Sequence, residues 1–409
     1  MTHDCDILIV GGGLNGPALA LAAAQAGMRS IVVDRLSFEA RADGGFDGRS
    51  YALALASQRL LAAIGIWRAV AGNAQPMERI ITSDGRAGEG PVWPFAMHFD
   101  HGEMDEGAMG YMLEDRYLRR ALLEAIEAAP HITTRSLENV VDQEVTPQAA
   151  RIRLASGEVL SGALLVGADG RQSGTGNRAG IRRTGWDYGQ TALVCAVEHE
   201  KPHGGAAHQF FMPNGPLAIL PLPGNRSSIV WSEATEVAAG IAALDDEGFL
   251  AALRPRFGDF LGGIALAGGR FSYPLNLTMA NETVRERLAL IGDAAQGVHP
   301  IAGQGFNQGL ADVATLTQVL ADARRRGEDI GARGVLERHR AWRSFDRATL
   351  ALGMDAVNRL FSNDNPLLRL GRGLGMAAID RMPGLRRRFI REAAGVSGDI
   401  PNLLQGKPA

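Results

Sequence analysis

The N-terminal segment up to Asp34 is the part of the sequence that most constrains the fold. Ile7 to Val10 is a continuous apolar run, as expected of a strand buried on both faces of a parallel sheet. The glycine motif Gly11-Gly12-Gly13-Leu14-Asn15-Gly16 follows, then a helical pattern over Ala18 to Ala26, and then a second strand, Ser30 to Val33, which ends in Asp34. This order predicts an α/β fold that binds a dinucleotide, with Asp34 accepting hydrogen bonds from an adenosine ribose. The motif leaves open whether the dinucleotide is FAD or NAD.

Two later strands also end in acid and glycine residues. Leu164 to Val166 leads into Gly167-Ala168-Asp169-Gly170, and Leu288 to Ile291 leads into a glycine-rich stretch that begins Gly292-Asp293. Ligands of α/β sheets lie beyond the carboxyl ends of the strands. We therefore expect both stretches to lie beside the N-terminal glycine turn.

The stretch from Gly292 to Gly309 reads as strand, loop and helix. Its glycines allow the backbone to touch a planar ring, and Gly305 to Asn307 present free N–H groups at the start of the helix. Such groups favour the negative charge that a reduced flavin carries on its pyrimidine side. The alternative for this loop alone is a connection that binds nothing.

Composition limits the remaining possibilities. A chain of 409 residues with 46% hydrophobic residues predicts two intertwined domains, and a net charge of −3 gives no reason to expect nucleic acid. Cys5 and Cys195 lack metal-site spacing, and no metal site is predicted. Asp4 and Asp6 stand where a signal peptide needs positive charge, and no apolar run is long enough to span a membrane, so a cytoplasmic protein is predicted.

The middle of the chain, from Trp186 to Phe271, changes to short β-rich segments bounded by Gly, Pro and Asn, and Glu78 to His98 carries similar signals. An antiparallel sheet made from two separated pieces of chain is therefore expected to cover the ligand. The candidates for lining a substrate pocket are alternatively plain sheet core. They are Phe211, Leu220, Leu222 and Trp231.

Two further ligand candidates, both arginines, lie before or near the start of helical patterns. Asp47-Gly48-Arg49-Ser50-Tyr51 precedes a helical pattern from Ala52 to Leu61, and a second helix within Tyr111 to Ala129 carries Arg116 near its start. An NAD fold of the plain kind does not need the first arginine. The alternative for Arg116 is a solvated charge on the helix face.

With these motifs the sequence resembles the FAD-dependent aromatic-ring monooxygenases with a p-hydroxybenzoate-hydroxylase-like fold (group A). Within them it is most similar to the ubiquinone-biosynthesis hydroxylases, which act on polyprenylated phenols. The resemblance covers nearly the whole chain. It is carried by the N-terminal fingerprint, Asp47 to Arg49, Arg116, Gly167 to Gly170, Phe211 to Leu222, Tyr273 to Leu275, Gly292 to Asn307 and the tail from Asp380 to Gly406.

The resemblance implies a Rossmann-like FAD-binding domain interleaved with an antiparallel β-sheet substrate domain, followed by a C-terminal helical region. The expected FAD-binding parts are residues 1–77, 105–185 and 273–350. The expected substrate domain is 78–104 with 186–272, and the helical region is 351–409.

The resemblance also implies the cofactor site. Asp34 would bind the adenosine ribose, Arg49 and Arg116 would hold FAD, Asp293 would bond the ribityl or diphosphate region, and Pro300 to Asn307 would border the isoalloxazine. Asp34 stands where the family usually has Glu. The family tends to carry an arginine at the position of Gly176, whereas this chain has Arg178 two positions later. The full set of candidates is Gly11, Gly13, Gly16, Asp34, Arg35, Arg49, Arg116, Asp169, Asp293, Pro300, Gly303, Gly305, Phe306 and Asn307.

The implied chemistry needs few side chains. Flavin reduced by NAD(P)H or a protein donor reacts with O2 to give a C4a-hydroperoxide, which transfers oxygen to the ring of a polyprenylphenol. The protein supplies orientation and a dry pocket. No catalytic side chain is assigned beyond the flavin-adjacent loop at Pro300, Gly303, Gln304 and Gly305.

The last sixty residues interleave apolar residues with arginines such as Arg386, Arg387 and Arg388. This pattern predicts peripheral contact with the inner face of a membrane or docking to other quinone-biosynthesis proteins, and a homo-oligomer is a further prediction. The alternative is a helix packed on its own domain with its arginines in solvent.

Two other functions stay open at this point. One is a non-catalytic FAD-binding subunit of a quinone-biosynthesis assembly, against which the intact Gly303-Gln304-Gly305 loop argues. The other is a hydroxylase of a small soluble aromatic acid, against which the lack of an arginine and tyrosine set for a carboxylate argues.

Overall fold

The glycine turn joins a parallel strand to a buried helix in the computed structural model, which describes residues 3–85, 96–103, 106–212, 215–297, 304–344 and 382–409. The strands are β1 Cys5–Val10, β2 Ser30–Val33, β3 Ser50–Ala54, β4 Gln75–Met77, β5 Arg79–Asp84, β6 Met97–Asp100, β7 Gly110–Glu114, β8 Ile132–Arg135, β9 Val140–Val145, β10 Ala150–Leu154, β11 Val159–Gly167, β12 Arg183–His199, β13 Ala206–Phe211, β14 Leu217–Leu222, β15 Arg226–Ala234, β16 Ile264–Leu266, β17 Phe271–Ala280, β18 Val284–Arg285, β19 Leu288–Leu290 and β20 Gln296–Gly297. The helices are α1 Asn15–Gln25, α2 Phe38–Arg41, α3 Leu55–Ala63, α4 Trp67–Val70, α5 Asp115–Ala128, α6 Gly174–Arg178, α7 Thr235–Ala242, α8 Asp246–Phe257, α9 Gln304–Arg325, α10 over the described residues 333–344, and α11 Pro383–Ala393.

The first sheet carries the glycine turn. Eight strands of the described chain form it, in the order β18-β19-β11-β1-β2-β8, with β10 paired to β11 and β9 paired to β10. The pairs around β1 are parallel. Ile7 and Ile9 join an apolar cluster with α1, α5 and α9, whereas Leu8 joins a cluster with β9 and β10. Because both faces are covered, the strand sequences are continuously apolar.

The second sheet is mostly antiparallel and is made from separated pieces of chain. Within the described ranges nine strands form it, in the order β20-β17-β12-β15-β14-β13-β5-β6 with β16 beside β12. β17 pairs with β12 from Phe271 to Ala280. The sheet therefore continues past the expected domain boundary at 272, because the long strand β12 needs a partner along its whole length.

The two faces of the second sheet have different neighbours. One face packs against α7 through Ala238 and Ile241 and against α8 through Phe249 and Phe257. The other face packs through Leu222 against Met77 and Met112 of a small sheet, β3-β7-β4. Since β3 and β7 also contribute to the apolar cluster of the first sheet, the small sheet connects the two large ones. This architecture confirms the predicted α/β fold class with an interleaved antiparallel sheet.

The described C-terminal segment packs on the first part of the chain. The Ala56 N–H at the start of α3 donates to Ala394 O at 3.0 Å, and Trp342 Nε1 of α10 donates to Asp399 O at 2.9 Å. Leu403 and Leu404 are buried. The stretch 382–409 therefore contributes buried side chains to the apolar cluster that also contains α1 and α9.

Candidate functional site

The glycine turn has a distinct geometry at each of its three motif glycines. Gly11 has a φ of +113°, and a Cβ there would lie 2.4 Å from Ala168 O. A Cβ at Gly16 would lie 1.9 Å from Gly11 O, whereas a Cβ at Gly13 would have no atom of the described residues within 4 Å. The first and third glycines therefore allow tight backbone packing, and Gly13 faces open space in which a phosphate group can approach.

Asp34 is fixed at the end of β2 by main-chain donors. Its carboxylate accepts from the N–H groups of Gly12 at 2.6 Å and Leu36 at 2.8 Å. Buried Arg41 supports the same turn, since its Nη1 donates to Gly12 O at 3.1 Å. A Cβ at Gly12 would lie 2.2 Å from that Nη1. Sequence reasoning missed Arg41, because no spacing rule connects it to the turn.

A cavity of about 870 Å³ runs along the carboxyl ends of the first-sheet strands. This volume lies in the range of about 300 to 1,000 Å³ that is usual for ligand pockets. The structure brings many of the predicted residues to its wall. They are Gly11, Gly13, Asp34, Arg35, Arg49, Asp169, Asp293, Gly305 and Phe306.

The Asp169 turn lies at the cavity and also caps α6. The Asp169 carboxylate accepts from Ser173 Oγ, from the Thr175 N–H at 2.8 Å and from Thr175 Oγ1 at 2.9 Å. Arg178, at the end of α6, reaches the cavity wall and donates to Val140 O at 3.0 Å. Burial lowers the pKa of Arg178 below its ordinary value.

Asp293 lies at the cavity with a cation beside it. Its carboxylate is 41% exposed and lies 3.3 Å from Arg171 Nε. Arg171 also donates to Asn276 at 3.0 Å, and Arg183 donates to the Asp293 carbonyl at 3.1 Å. Asp293 thus keeps an open acceptor at the wall.

Arg49 and Tyr51 form another part of the wall. Arg49 Nε donates to Asp47 Oδ2 at 2.6 Å. Burial raises the pKa of Asp47, but the hydrogen bonds and the charge of Arg49 together lower it by more, so this pKa lies below its ordinary value. The Tyr51 hydroxyl donates to Asp115 Oδ1 at 2.7 Å. Burial, and then the charge of Asp115, raise the pKa of Tyr51, so its hydroxyl remains a donor. The Tyr51 ring lies 5.0 Å from the Phe306 ring, centroid to centroid.

Arg116, for which the resemblance implied a contact with FAD, is not among the described residues that line the cavity. Its Nε donates to buried Glu114 at 2.7 Å, and its guanidinium stacks over the Tyr117 ring at 4.7 Å. Arg119, which is one turn further along α5, lines the cavity instead. The reason is its partner Asp115, which accepts two bonds of 2.7 Å from Arg119.

The start of α9 borders the cavity through Gly305 and Phe306. Asn307 points away from it into the protein, where its Oδ1 accepts from the Ala54 N–H at 2.9 Å and its Nδ2 donates to Ala52 O at 2.8 Å. Asn307 therefore fastens α9 to the edge of β3. Gly16 likewise acts under the turn rather than in the wall. Pro300, Gly303 and the side chain of Gln304 lie outside the described residues.

The four predicted pocket residues divide between the two faces of the second sheet. Trp231 packs against Phe249 of α8 at 6.0 Å and is 1% exposed. It therefore lies in the sheet–helix core, on the face opposite to the one that carries Leu222. Leu222 and Leu220 lie on the opposite face, where Leu222 is fully buried. Phe211 follows a core-facing residue of β13, so strand alternation places it on that same opposite face.

Among the residues that the structure describes, no three His, Cys, Asp or Glu side chains are placed to hold a metal ion. No helix in those ranges is long and apolar enough to cross a bilayer.

The wall chemistry suits a dinucleotide with an aromatic ring. Asp34 supplies an acceptor at one end, and Tyr51 and Phe306 supply flat apolar surface elsewhere. The described arginines at the wall supply positive charge for a diphosphate, which accepts strong hydrogen bonds from guanidinium groups. They are Arg35, Arg49, Arg119, Arg171 and Arg178.

Comparisons with known proteins agree with this chemistry. The family model described as an FAD binding domain matches residues 4–343. The chain is 44% identical to ubiquinone hydroxylase UbiL of Rhodospirillum rubrum, over 98% of this chain and 93% of that protein. It is 36% identical to 3-demethoxyubiquinol 3-hydroxylase of Escherichia coli, over 96% and 98% respectively. The fold is similar to the crystal structure of p-nitrophenol 4-monooxygenase PnpA from Pseudomonas putida, with a TM-score of 0.77 and 17% identity over 97% of this chain and 99% of that one.

Proposed function

The chain belongs to the FAD-dependent aromatic-ring monooxygenases, in the family of the ubiquinone-biosynthesis hydroxylases, and we propose that it hydroxylates the ring of a polyprenylated phenol. It is an FAD-dependent oxidoreductase, and NAD(P)H is the reductant that agrees with its family. The observation that carries the proposal is the single cavity wall in which the dinucleotide turn, three acid-bearing strand ends and the start of α9 meet.

The residues at the wall would hold FAD. Asp34 would accept from the adenosine ribose, and Gly13 would let the diphosphate approach the backbone. Arg178 and Arg171 would supply positive charge to the diphosphate region, and Asp293 would accept from a ribityl hydroxyl. When bound, FAD supplies the activation of O2. The protein then has to orient the phenol ring and exclude water.

The substrate would lie against the face of the second sheet that carries Leu220 and Phe211. This face is apolar and adjoins the small sheet that bears Tyr51, which lines the cavity. A phenol with an isoprenoid tail matches that surface, because burial of each CH₂ group contributes about 0.8 kcal/mol. Leu222 supports the face from within.

The test is to purify the protein with its flavin and supply O2, NAD(P)H and a short-chain polyprenylphenol. Mass spectrometry of the extracted product should show one added oxygen atom. 4-Hydroxybenzoate serves as the matched small acid. Oxygen transfer only to that acid would favour a hydroxylase of soluble aromatic acids, and bound flavin without transfer to either compound would favour a non-catalytic subunit.

Peripheral membrane contact through α11 is a separate proposal. Two of its arginines are tied to the protein, since Arg386 lies 2.8 Å from Glu103 and Arg391 lies 2.6 Å from Glu106. Phe389 on the same helix is 47% exposed. An exposed aromatic ring beside basic residues is the pattern of an interfacial helix. The region 351–381 lies outside the described residues.

The membrane proposal predicts partition onto anionic liposomes. Arg387 and Arg388 are exposed next to Phe389. Phe389→Ser should reduce partition severalfold, whereas Val141→Ser, at a residue 51% exposed elsewhere on the surface, should not. Equal partition of both variants and the wild type would overturn it. Sedimentation of the same preparations tests the further proposal of a homo-oligomer.

A further inference from the structure

Asp115 is a buried carboxylate that contacts three side chains of the cavity wall at once. It is the first residue of α5, and its side chain is 4% exposed. It accepts two bonds of 2.7 Å from Arg119 and one of 2.7 Å from the Tyr51 hydroxyl, and it lies 3.7 Å from Arg49 Nη2. Arg119, Tyr51 and Arg49 all line the cavity.

The backbone places Asp115 where it can do this. Its N–H donates to Arg49 O at 3.0 Å, which joins the start of α5 to the residue before β3. A carboxylate in the first turn of a helix is stabilised by the free N–H groups there. A buried charge persists only when it is paired and hydrogen-bonded, and the three partners satisfy that condition.

We propose that Asp115 is a positioning residue for the cofactor: it fixes the guanidinium group of Arg119 and the hydroxyl of Tyr51 in the orientation that binds FAD, and its charge attracts the guanidinium of Arg49, which is hydrogen-bonded to Asp47. Long arginine side chains lose rotamer entropy when a ligand immobilises them. Asp115 imposes that order before FAD arrives, which is preorganisation. The inference rests on the proposed placement of FAD in this cavity.

Glu114 provides a matched comparison one residue away. It is also fully buried, and it also pairs with two arginines, Arg116 at 2.7 Å and Arg226 at 2.9 Å. Both of those arginines lie outside the cavity wall. Asp115→Asn and Glu114→Gln therefore remove the same charge from the same part of the protein, but only the first frees side chains of the wall.

The sign of the effect separates positioning from long-range electrostatics. Each substitution makes the protein one charge more positive. If charge alone mattered, both variants would bind the anionic FAD more tightly. If orientation matters, D115N binds FAD less tightly although its charge is more favourable.

The experiment measures release of FAD from purified holoprotein after dilution, followed by the rise of free flavin fluorescence. D115N should release FAD at least about tenfold faster than the wild type, since bonds to charged groups are the stronger kind. E114Q should stay within about threefold, because local charge changes of this size have modest effects on a ligand that they do not touch. Equal release from D115N and E114Q, or slower release from D115N, overturns the role of Asp115.

A milder variant keeps the test decisive if D115N does not fold. Tyr51→Phe retains the ring packed against Phe306 and removes only the bond to Asp115. We expect severalfold faster FAD release from Tyr51→Phe while the FAD-free variant still unfolds cooperatively, and wild-type release would overturn the positioning of Tyr51 by Asp115. Wild-type protein that binds no FAD would overturn the cofactor placement as well, so the two failures are distinguishable.

Discussion

Gly13→Ala should impair FAD binding without impairing the fold. A Cβ at Gly13 would meet no atom of the described residues within 4 Å, and its φ is not in the left-handed region. The methyl group would instead occupy cavity space on which Gly13 opens. Gly16→Ala is the contrasting change, since its Cβ would lie 1.9 Å from Gly11 O and 3.3 Å from Ile9 Cγ2.

The expected magnitudes follow from those contacts. Without FAD, Gly13→Ala should leave the free energy of unfolding unchanged or raise it by about 0.4 to 1 kcal/mol, because the unfolded chain loses entropy. Displacing a diphosphate from the turn removes a hydrogen bond to a charged group, about 1.5 to 3 kcal/mol, which raises the Kd for FAD by a factor of about 10 to 150. Gly16→Ala should lower the free energy of unfolding by about 3 kcal/mol through overpacking.

Urea unfolding of the FAD-free proteins and titration with FAD measure the two quantities separately. Gly240→Ala, at an exposed position of α7 where a Cβ also meets nothing within 4 Å, controls for the substitution itself. It should stabilise the protein by about 1 kcal/mol and leave the Kd unchanged. Wild-type affinity in Gly13→Ala, or unfolding of Gly13→Ala to the extent of Gly16→Ala, would refute the geometric reasoning.

Three further perturbations probe other parts of the molecule. Asn307→Ala removes two bonds to the β3 backbone and should lower the free energy of unfolding by about 2 to 4 kcal/mol in urea titrations, while a loss under 1 kcal/mol would count against the fastening role. Burial lowers the pKa of His208 to about 4 from an ordinary 6.5. The unfolded state therefore binds the proton first as the pH falls between these values. Titration of His208 alone should lower the free energy of unfolding by about 3 kcal/mol from pH 6.5 to pH 4, so the measured fall should be smaller by about this amount in His208→Gln. Trp231→Phe should lower the melting temperature and leave the KM for the prenylphenol unchanged, whereas Leu220→Ala should raise that KM. A raised KM in Trp231→Phe with an unchanged KM in Leu220→Ala would instead indicate that Trp231 lines the pocket.

The dinucleotide site was readable from the sequence because its signals are local. The turn from Gly11 to Gly16 and the acid Asp34 belong to one strand–helix–strand unit with fixed spacing. The strand ends at Asp169 and Asp293 could be added because parallel strands share one edge. Their convergence on one cavity was therefore predictable without tertiary information.

The sequence did not show in the same way which face of the second sheet packs against the helices. Alternation shows that Trp231 and its strand neighbours face opposite ways, but it does not show which face meets α7 and α8. Phe249 and Phe257 lie on α8, and the face on which this helix packs, which strand alternation does not show, decides the matter.

Arg116 and Arg119 show the same limit on a helix. Both arginines lie in the first half of α5, and the helical pattern does not show which of them reaches the cavity. That depends on their carboxylate partners, Glu114 for Arg116 and Asp115 for Arg119. The predicted helix from Ala52 is a related case. Residues up to Ala54 form β3 instead, because β7 and the Asn307 side chain supply their hydrogen bonds.

The interleaving of the two sheets sets the order in which the molecule can be completed during synthesis. β19 enters the first sheet only after residue 288 has been made, and β20 closes the edge of the second sheet at residue 297. Neither sheet can finish early and wait for the other on the ribosome. We therefore expect the chain to fold as one cooperative unit, so that two separately expressed halves should not fold on their own. The cavity should form in one step, late in synthesis.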